Sequence, residues 1–447
     1  MKWNAKHAAM MGILASAIAV TGCSSTSNKS DNAQAGSNAN ANAATPEAGK
    51  EKVKVDFWSI WDPTNGNGKL IADEIVKFNE QNPDIEIVMS GQGGYDGVAE
   101  KLEAALVAKN TPVIVQIEES FLARYNPIAA DLGKYMSPAT IANYNEGLTR
   151  SSYVDGAFKA APMNRSTPIL YMNADMLKAA GLDPKGPKTW TELHEYAKKL
   201  SNPAKGIYGF SGYWDSDAWY WESAVYSYGG EMVNKDGTQV VFDNDKGTGI
   251  IKLFQDMVND KSMLNAYSAQ DNQSDLIKQN FFDGKVAMDL DSVGAMGDLT
   301  TNAKFNVAVA FQPQEGGKNV VVTGGANMIV LDKATEEQKK AAGKFLDFLA
   351  NDENVTSLFK TSGYLPTTKS SLETPEMKQW LQEKPQYQVA IDQLQFAHSR
   401  PWQKNWKAMY TVILDDLKGA MIDTSKDPKE VIHHAAAAAQ QIIDENK

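Results

Sequence analysis

Cysteine is nearly absent from this chain. Cys23 is the single one in 447 residues, so no intramolecular disulfide can staple the fold. Histidine is scarce as well, at five. The one adjacent pair, His433 and His434, lies on a segment that reads as a helix, where neighbouring residues point to different faces, which speaks against a metal pair. No run of about 18 apolar residues occurs, so no segment is long enough to span a bilayer as a helix. Basic excess is missing too: 44 Lys and Arg stand against 55 Asp and Glu, a net charge of -11, whereas a nucleic-acid partner calls for a basic face. There is no phosphate-binding P-loop and no nucleophile elbow. No motif points to a cofactor.

What is present is a chain long enough for two lobes with substantial cores, 43 % hydrophobic and carrying ten tryptophans. Part of that aromatic surface fills cores, and part suits polyols, whose C–H faces stack on rings. At the N-terminus, Lys2, Lys6 and His7 precede an apolar stretch, Ala8 to Val20, that is too short to span. Val20-Thr21-Gly22-Cys23 closes it and resembles a bacterial lipobox. The resemblance implies a signal peptide over 1–22, cleavage before Cys23, and a lipid on the Cys23 sulfur that holds the protein at a membrane without a spanning helix. Residues 24–50 are Ser, Asn, Ala and Gly with scattered charge, which cannot bury enough apolar surface to offset their ordering entropy. With Cys23 they read as a flexible tether over 23–50.

Folding is expected to begin near Val53. Val53, Val55 and Phe57 alternate as a strand; Asn65-Gly66-Asn67-Gly68 reads as a loop; Leu70, Ile71, Ile75 and Phe78 recur at helical spacing. Strands at Ile85–Met89 and Val113–Ile117 bracket a second helix carrying Val98, Leu102 and Leu106. This βαβαβ order predicts a parallel sheet covered on both faces, with ligands at the carboxyl ends of the strands, beside Trp58, Tyr95 and Glu119. Further on, Tyr213 to Glu222 is the densest aromatic patch, read as a helix with one buried face. Asp243 to Gly247 reads as a helix entrance rather than a calcium loop, because no Glu stands at the twelfth position. Thr335 with Gln338 forms a capping box.

The stretch Pro162 to Leu200 is the most informative. A polar turn, Asn164-Arg165-Ser166-Thr167-Pro168, leads into the apolar strand Ile169-Leu170-Tyr171-Met172. A helix starts at Asn173 and stops near Gly181, and Thr189 with Glu192 caps the next helix. With the Phe281–Met288 block, Thr323-Gly324-Gly325 and Gly363-Tyr364-Leu365-Pro366, this stretch resembles the extracellular solute-binding proteins of bacterial ABC importers. Within them it is most similar to the glycerol-3-phosphate-binding receptors.

The resemblance implies an α/β fold of the periplasmic-binding-protein type, with two lobes, a hinge and an interlobe ligand cleft. It implies lobe 1 over 51–165 and 294–362, lobe 2 over 166–293 and 363–447, and crossovers near Arg165, Gly294 and Gly363. By matched position it implies ligand contacts at Tyr95, Glu119, Ser166, Ser292, Gly325 and Tyr364, with a tryptophan contact at Trp214. Tyr364 also fits a packed hinge residue, and Gly325 a strand bend. The implied partners are a small solute (a sugar, polyol or glycerol phosphate), permease subunits with a cytoplasmic ATPase, and the membrane through the lipid; the receptor itself is expected to be a monomer. In one respect this chain departs from the glycerol-3-phosphate receptors. Tyr410 stands where they carry a late-helix arginine that pairs with phosphate, so a neutral sugar becomes as good a candidate unless Arg165 substitutes. Two other classes stay open: a secreted enzyme hydrolysing glycosides or phosphodiesters, with carboxylates such as Glu118/Glu119 or Asp289/Asp291, and a polysaccharide-binding surface adhesin.

Overall fold

The computed structural model describes residues 51–213, 218–266 and 273–446. The leader, Cys23, the tether and Trp214 therefore lie outside the described residues. Strands β1 (Val53–Ser59), β2 (Ile85–Gly91) and β3 (Ile114–Glu118) alternate with helices Gly66–Gln81 and Gly94–Ala108, as the periodicity predicts. A short hairpin, β4 (Tyr153–Val154) and β5 (Ala157–Phe158), leads to β6 (Ala161–Ser166) and β7 (Pro168–Asn173). Then follow β8 (Ser211–Gly212), β9 (Met288–Ser292), β10 (Val307–Phe311), β11 (Val321–Val322), β12 (Gly324–Val330) and β13 (Ala397–His398).

These strands form two main sheets. The first has the order β2-β1-β3-β12-β6, and the second β10-β7-β9-β8. The β1, β2 and β3 ladders are parallel, and β12 enters antiparallel between β3 and β6. Thr167 alone separates β6 from β7, so the chain passes from the first sheet to the second across one residue. The strand at 307–311 departs from the expected lobe boundaries. The resemblance implies lobe 1 for it, yet β10 pairs antiparallel with β7 through Val307↔Asn173 to Phe311↔Ile169. The return to the first sheet thus comes after Phe311, not at Gly294. An apolar strand carries no local mark of its partner; the pairing is settled by which edge is open.

Each sheet has its own core. Val55, Phe57, Phe78, Ile87, Phe345 and Leu346 pack together in the first, and Leu170, Trp190, Trp221, Phe254, Leu290 and Trp406 in the second. Each large apolar side chain enclosed this way contributes about 1.5–3 kcal/mol. Local capping follows the sequence closely. Asn173 accepts from the Met176 N–H at 3.0 Å and Thr189 from the Glu192 N–H at 3.0 Å. Thr335 and Gln338 cap each other reciprocally, and Asn244 caps the helix Asp245–Asn259 where the calcium loop was set aside. Two local readings change. The Asn65–Gly68 loop is largely helical, since the helix begins at Gly66. The helix Ala218–Ser227 is buried on every face, not one, because it runs between the second core and the hinge-side strand β11.

Candidate interlobe binding site

The carboxyl ends of β1 and β3 carry a chain of buried polar groups. The Ser59 hydroxyl donates to Gln116 Oε1 at 2.7 Å, Gln116 Nε2 donates to Asn164 Oδ1 at 2.8 Å, and Asn164 Nδ2 donates to the Tyr95 hydroxyl at 2.9 Å. A polar residue inside a fully buried strand needs such partners, and Gln116, 0 % exposed, finds them on both sides. Tyr95 opens the helix Gly94–Ala108. Burial pushes its phenol well above the usual range, helped by Tyr364 and the Glu118 carboxylate. Tyr364 is likewise raised, by burial first, and it feels the charge of Asp291 on β9. Groups from the ends of both sheets therefore act on the same tyrosine. Its ring lies 6.0 Å from Trp61 and against Gly294, where an added Cβ would come within 2.6 Å of the ring.

Two arginine–carboxylate clusters flank these tyrosines. Arg165 is ion-paired with Glu119, both fully enclosed. Ser151 donates to the same carboxylate at 2.7 Å and Thr323 at 2.9 Å. A carboxylate has about four lone-pair directions, so these neighbours occupy most of the acceptor capacity of Glu119. Arg165 is held by this ion pair, while its Nε, Nη1 and Nη2 meet no hydrogen-bond geometry with an acceptor among the described residues. Arg400 forms the second cluster. Its Nη1 donates to Glu118 Oε1 at 2.9 Å, at the end of β3, and its Nε to Glu222 Oε2 at 3.0 Å, in the helix Ala218–Ser227. Trp406 Nε1 also donates to Glu222, at 3.1 Å. One guanidinium thus joins the first sheet to the core of the second.

Beside Arg400 lies a cavity of about 330 Å³ lined by Gly93, Gly94, Tyr95, Glu118, Phe121 and Tyr410. Tyr410 does reach this cavity. Its ring stacks near Phe121, with centroids 6.5 Å apart and planes 11° apart. The other expected contacts are distributed along the hinge. Ser166 ends β6, opposite Gly324. Ser292 ends β9, where its Oγ accepts from the Gly294 N–H at 3.1 Å. Gly325 has a φ of +84° at a bulge in β12, and any Cβ there would run into the Asn164 carbonyl, so the strand-bend reading accounts for this glycine. Gly324 instead admits Trp219, whose ring a Cβ would approach to 2.6 Å and whose indole N–H reaches the Thr323 carbonyl at 3.1 Å. Tyr95, Glu119, Ser166, Gly325 and Tyr364 are thus brought together around Asn164 and Arg165, with Ser292 beside Asp291. Sequence reasoning assigned no role to Gln116, Asn164, Glu222 or Arg400. Gln116 alone carried a readable sign, a polar side chain in an apolar strand.

Residues 75–386 match the bacterial extracellular solute-binding protein family. The sn-glycerol-3-phosphate-binding periplasmic protein of Escherichia coli O1:K1 is 27 % identical over 418 residues, covering 86 % of this chain and 92 % of that one. Its counterpart in Salmonella typhimurium LT2 is 28 % identical over 421 residues, covering 88 % and 94 %. Among solved structures, the UgpB protein of Mycobacterium tuberculosis in complex with glycerophosphocholine superposes with a TM-score of 0.77 at 23 % identity, over 88 % of this chain and 99 % of that one. Maltose-bound MalE3 of T. maritima gives 0.77 at 21 % identity, over 87 % and 100 %. At such identities the likeness is one of fold. Two sheets whose polar strand ends meet at a hinge, together with the family match over most of the folded chain, establish that this protein belongs to the bacterial extracellular solute-binding proteins.

Proposed function

We propose that this protein is the receptor of an ABC importer, taking a small carbohydrate-like or glycerol-phosphate-like solute between its lobes and presenting it to permease subunits driven by a cytoplasmic ATPase. The observation that carries this reading is the convergence of Tyr95 and Asn164 beside the first sheet, and of Tyr364 just after the helix Asp352–Ser362, with Asp291 and Ser292 from the second sheet. Hydroxyls and amides that donate and accept in turn suit a polyol, and neighbouring aromatic rings suit its C–H faces. We assign Tyr95, Ser166, Ser292 and Tyr364 to the solute directly, Trp214 to stacking on it, and Glu119 to one edge of the site through its remaining acceptor direction. Gly325 contributes by letting the backbone turn there. Of the carboxylate pairs offered for hydrolysis, Glu118 and Glu119 are each tied to an arginine, which favours binding over acid–base work for that pair. Attachment through a lipid on Cys23, after removal of 1–22, would keep the receptor on the outer face of the cell membrane as a tethered monomer.

Calorimetry with glycerol-3-phosphate, glycerophosphocholine and a panel of mono- and disaccharides tests the proposal, paired with small-angle scattering. Micromolar or tighter binding of one monomeric solute, with a smaller radius of gyration in the bound form, is expected. Turnover of a glycoside or phosphodiester, or binding restricted to polysaccharide, would overturn it.

A further inference from the structure

The second sheet holds two carboxylates without adequate counter-charge. Asp289 and Asp291 sit two residues apart on β9, on one face, at 0 % and 5 % exposure. Asp291 Oδ1 accepts from the Tyr220 hydroxyl at 2.7 Å and from the Ser292 N–H at 2.6 Å. Asp289 has no such support: neither of its oxygens has a hydrogen-bond partner among the described residues. Ser211 stands directly beside it, in register on β8, fully buried, and its Oγ is also without a partner. Buried carboxylates are ordinarily paired, because desolvating a lone one is costly. Lys278 is the cation whose charge acts on both, and its Nζ is directed to Asp298, 3.7 Å away.

The surroundings favour one kind of occupant. Tyr213 and Tyr220 stand beside Asp291 with ring centroids 5.5 Å apart, and Trp219 packs 4.9 Å from Tyr220. Aromatic faces next to carboxylates are the setting in which organic ammonium groups are held. A calcium ion would want about six to eight oxygen ligands, more than Asp289, Asp291 and Ser211 supply. The balance of the whole interlobe region points the same way. Five enclosed carboxylates (Glu118, Glu119, Glu222, Asp289 and Asp291) face two enclosed arginines, Arg165 and Arg400, and both arginines are already paired.

We infer that Asp289, Asp291 and Ser211, with the Tyr213 and Tyr220 rings, form a subsite for a positively charged nitrogen on the solute, a protonated amine or quaternary ammonium. This rests on the receptor function proposed above and narrows its solute to a cation-bearing one. The subsite lies at the end of β9, immediately before Ser292, so a solute seated at Ser292 and Tyr364 would direct its cationic end towards it. The raised affinity of both carboxyls for protons, which burial causes first, is what a pair awaiting a cation would show.

Titration calorimetry on the full chain tests this with matched probes: glycerophosphocholine and glycerophosphoethanolamine against glycerol-3-phosphate, and glucosamine against glucose. The cationic member of a pair should bind at least about tenfold tighter, a difference of about 1.4 kcal/mol. Asp289→Asn should erase that preference while leaving the counterpart that lacks the cationic nitrogen within a few-fold of wild type. Ser211→Ala should weaken the preference more mildly and serves if Asp289→Asn does not fold. Equal affinity within each pair, or an equal loss for both members in Asp289→Asn, would overturn the subsite. A calcium isotherm abolished by Asp289→Asn would replace the organic cation with a metal and overturn it too. A solute bound without cationic preference refutes only this inference, whereas failure of every probe and every sugar would remove the receptor reading beneath it.

Discussion

Replacing Arg400 with Met tests the junction between the sheets most directly. The guanidinium donates to Glu118 at 2.9 Å and to Glu222 at 3.0 Å and is 7 % exposed. Met fills much of the same volume but supplies no charge, so two enclosed carboxylates lose their cation. Glu222 keeps the Trp406 indole N–H, and Glu118 keeps the Ser120 N–H at 2.9 Å. Removing one partner of a buried ion pair costs about 3–5 kcal/mol, mostly the penalty of the charge left behind. Urea denaturation should therefore show a loss of that size. Adding Glu222→Gln should restore a large part of it, because the second substitution removes a stranded charge; the double-mutant cycle reads the coupling. The same change should loosen closure. If Arg400 travels with the second core, opening breaks its bond to Glu118, a charge-assisted hydrogen bond of about 1.5–3 kcal/mol. The closed population, and the apparent solute affinity with it, should fall about tenfold to 150-fold. A stability within about 1 kcal/mol of wild type, or a double variant worse than the sum of the singles, would refute the bridge as a stabilising contact.

Gly324→Ala should cost about 1–3 kcal/mol by overpacking against Trp219, whose ring a Cβ would meet at 2.6 Å, and a thermal melt should report it together with a shift in tryptophan emission. Asp289 gives a pH signature. Its carboxyl is raised well above 3.8 by burial and then by Asp291, so the folded protein holds a proton that the unfolded chain has released. Stability from this group is present below the unfolded value and is lost as pH rises through the folded one. Asp289→Asn should flatten that decline in a series of melts taken upward from about pH 4, and an unchanged slope would count against it. Cys23→Ala should shift the protein from the membrane fraction to the soluble one or block processing, read by fractionation and intact mass.

Much of the architecture was legible in the sequence because it rests on local physics. The alternation of Val53, Val55 and Phe57, the capping residues Asn173, Thr189, Asn244 and Thr335, and the βαβαβ order each follow from forces acting within a few residues, and each is found. The motif blocks around Ser166, Ser292 and Tyr364 pointed to the right family, since they mark the hinge. Only the tertiary structure decided what those side chains touch. Glu119 reads as an open acceptor until Arg165, Ser151 and Thr323, 32 to 204 residues away, close on it. Arg400 carries no local mark of a role until folding sets it between Glu118 and Glu222, 282 and 178 residues distant. The strand at Val307–Phe311 reads as part of one lobe until its pairing with β7 puts it in the other. Periodicity and caps are short-range and are written into the chain. Ion pairs and sheet edges join residues far apart in sequence, and their partners are chosen only when the chain closes on itself.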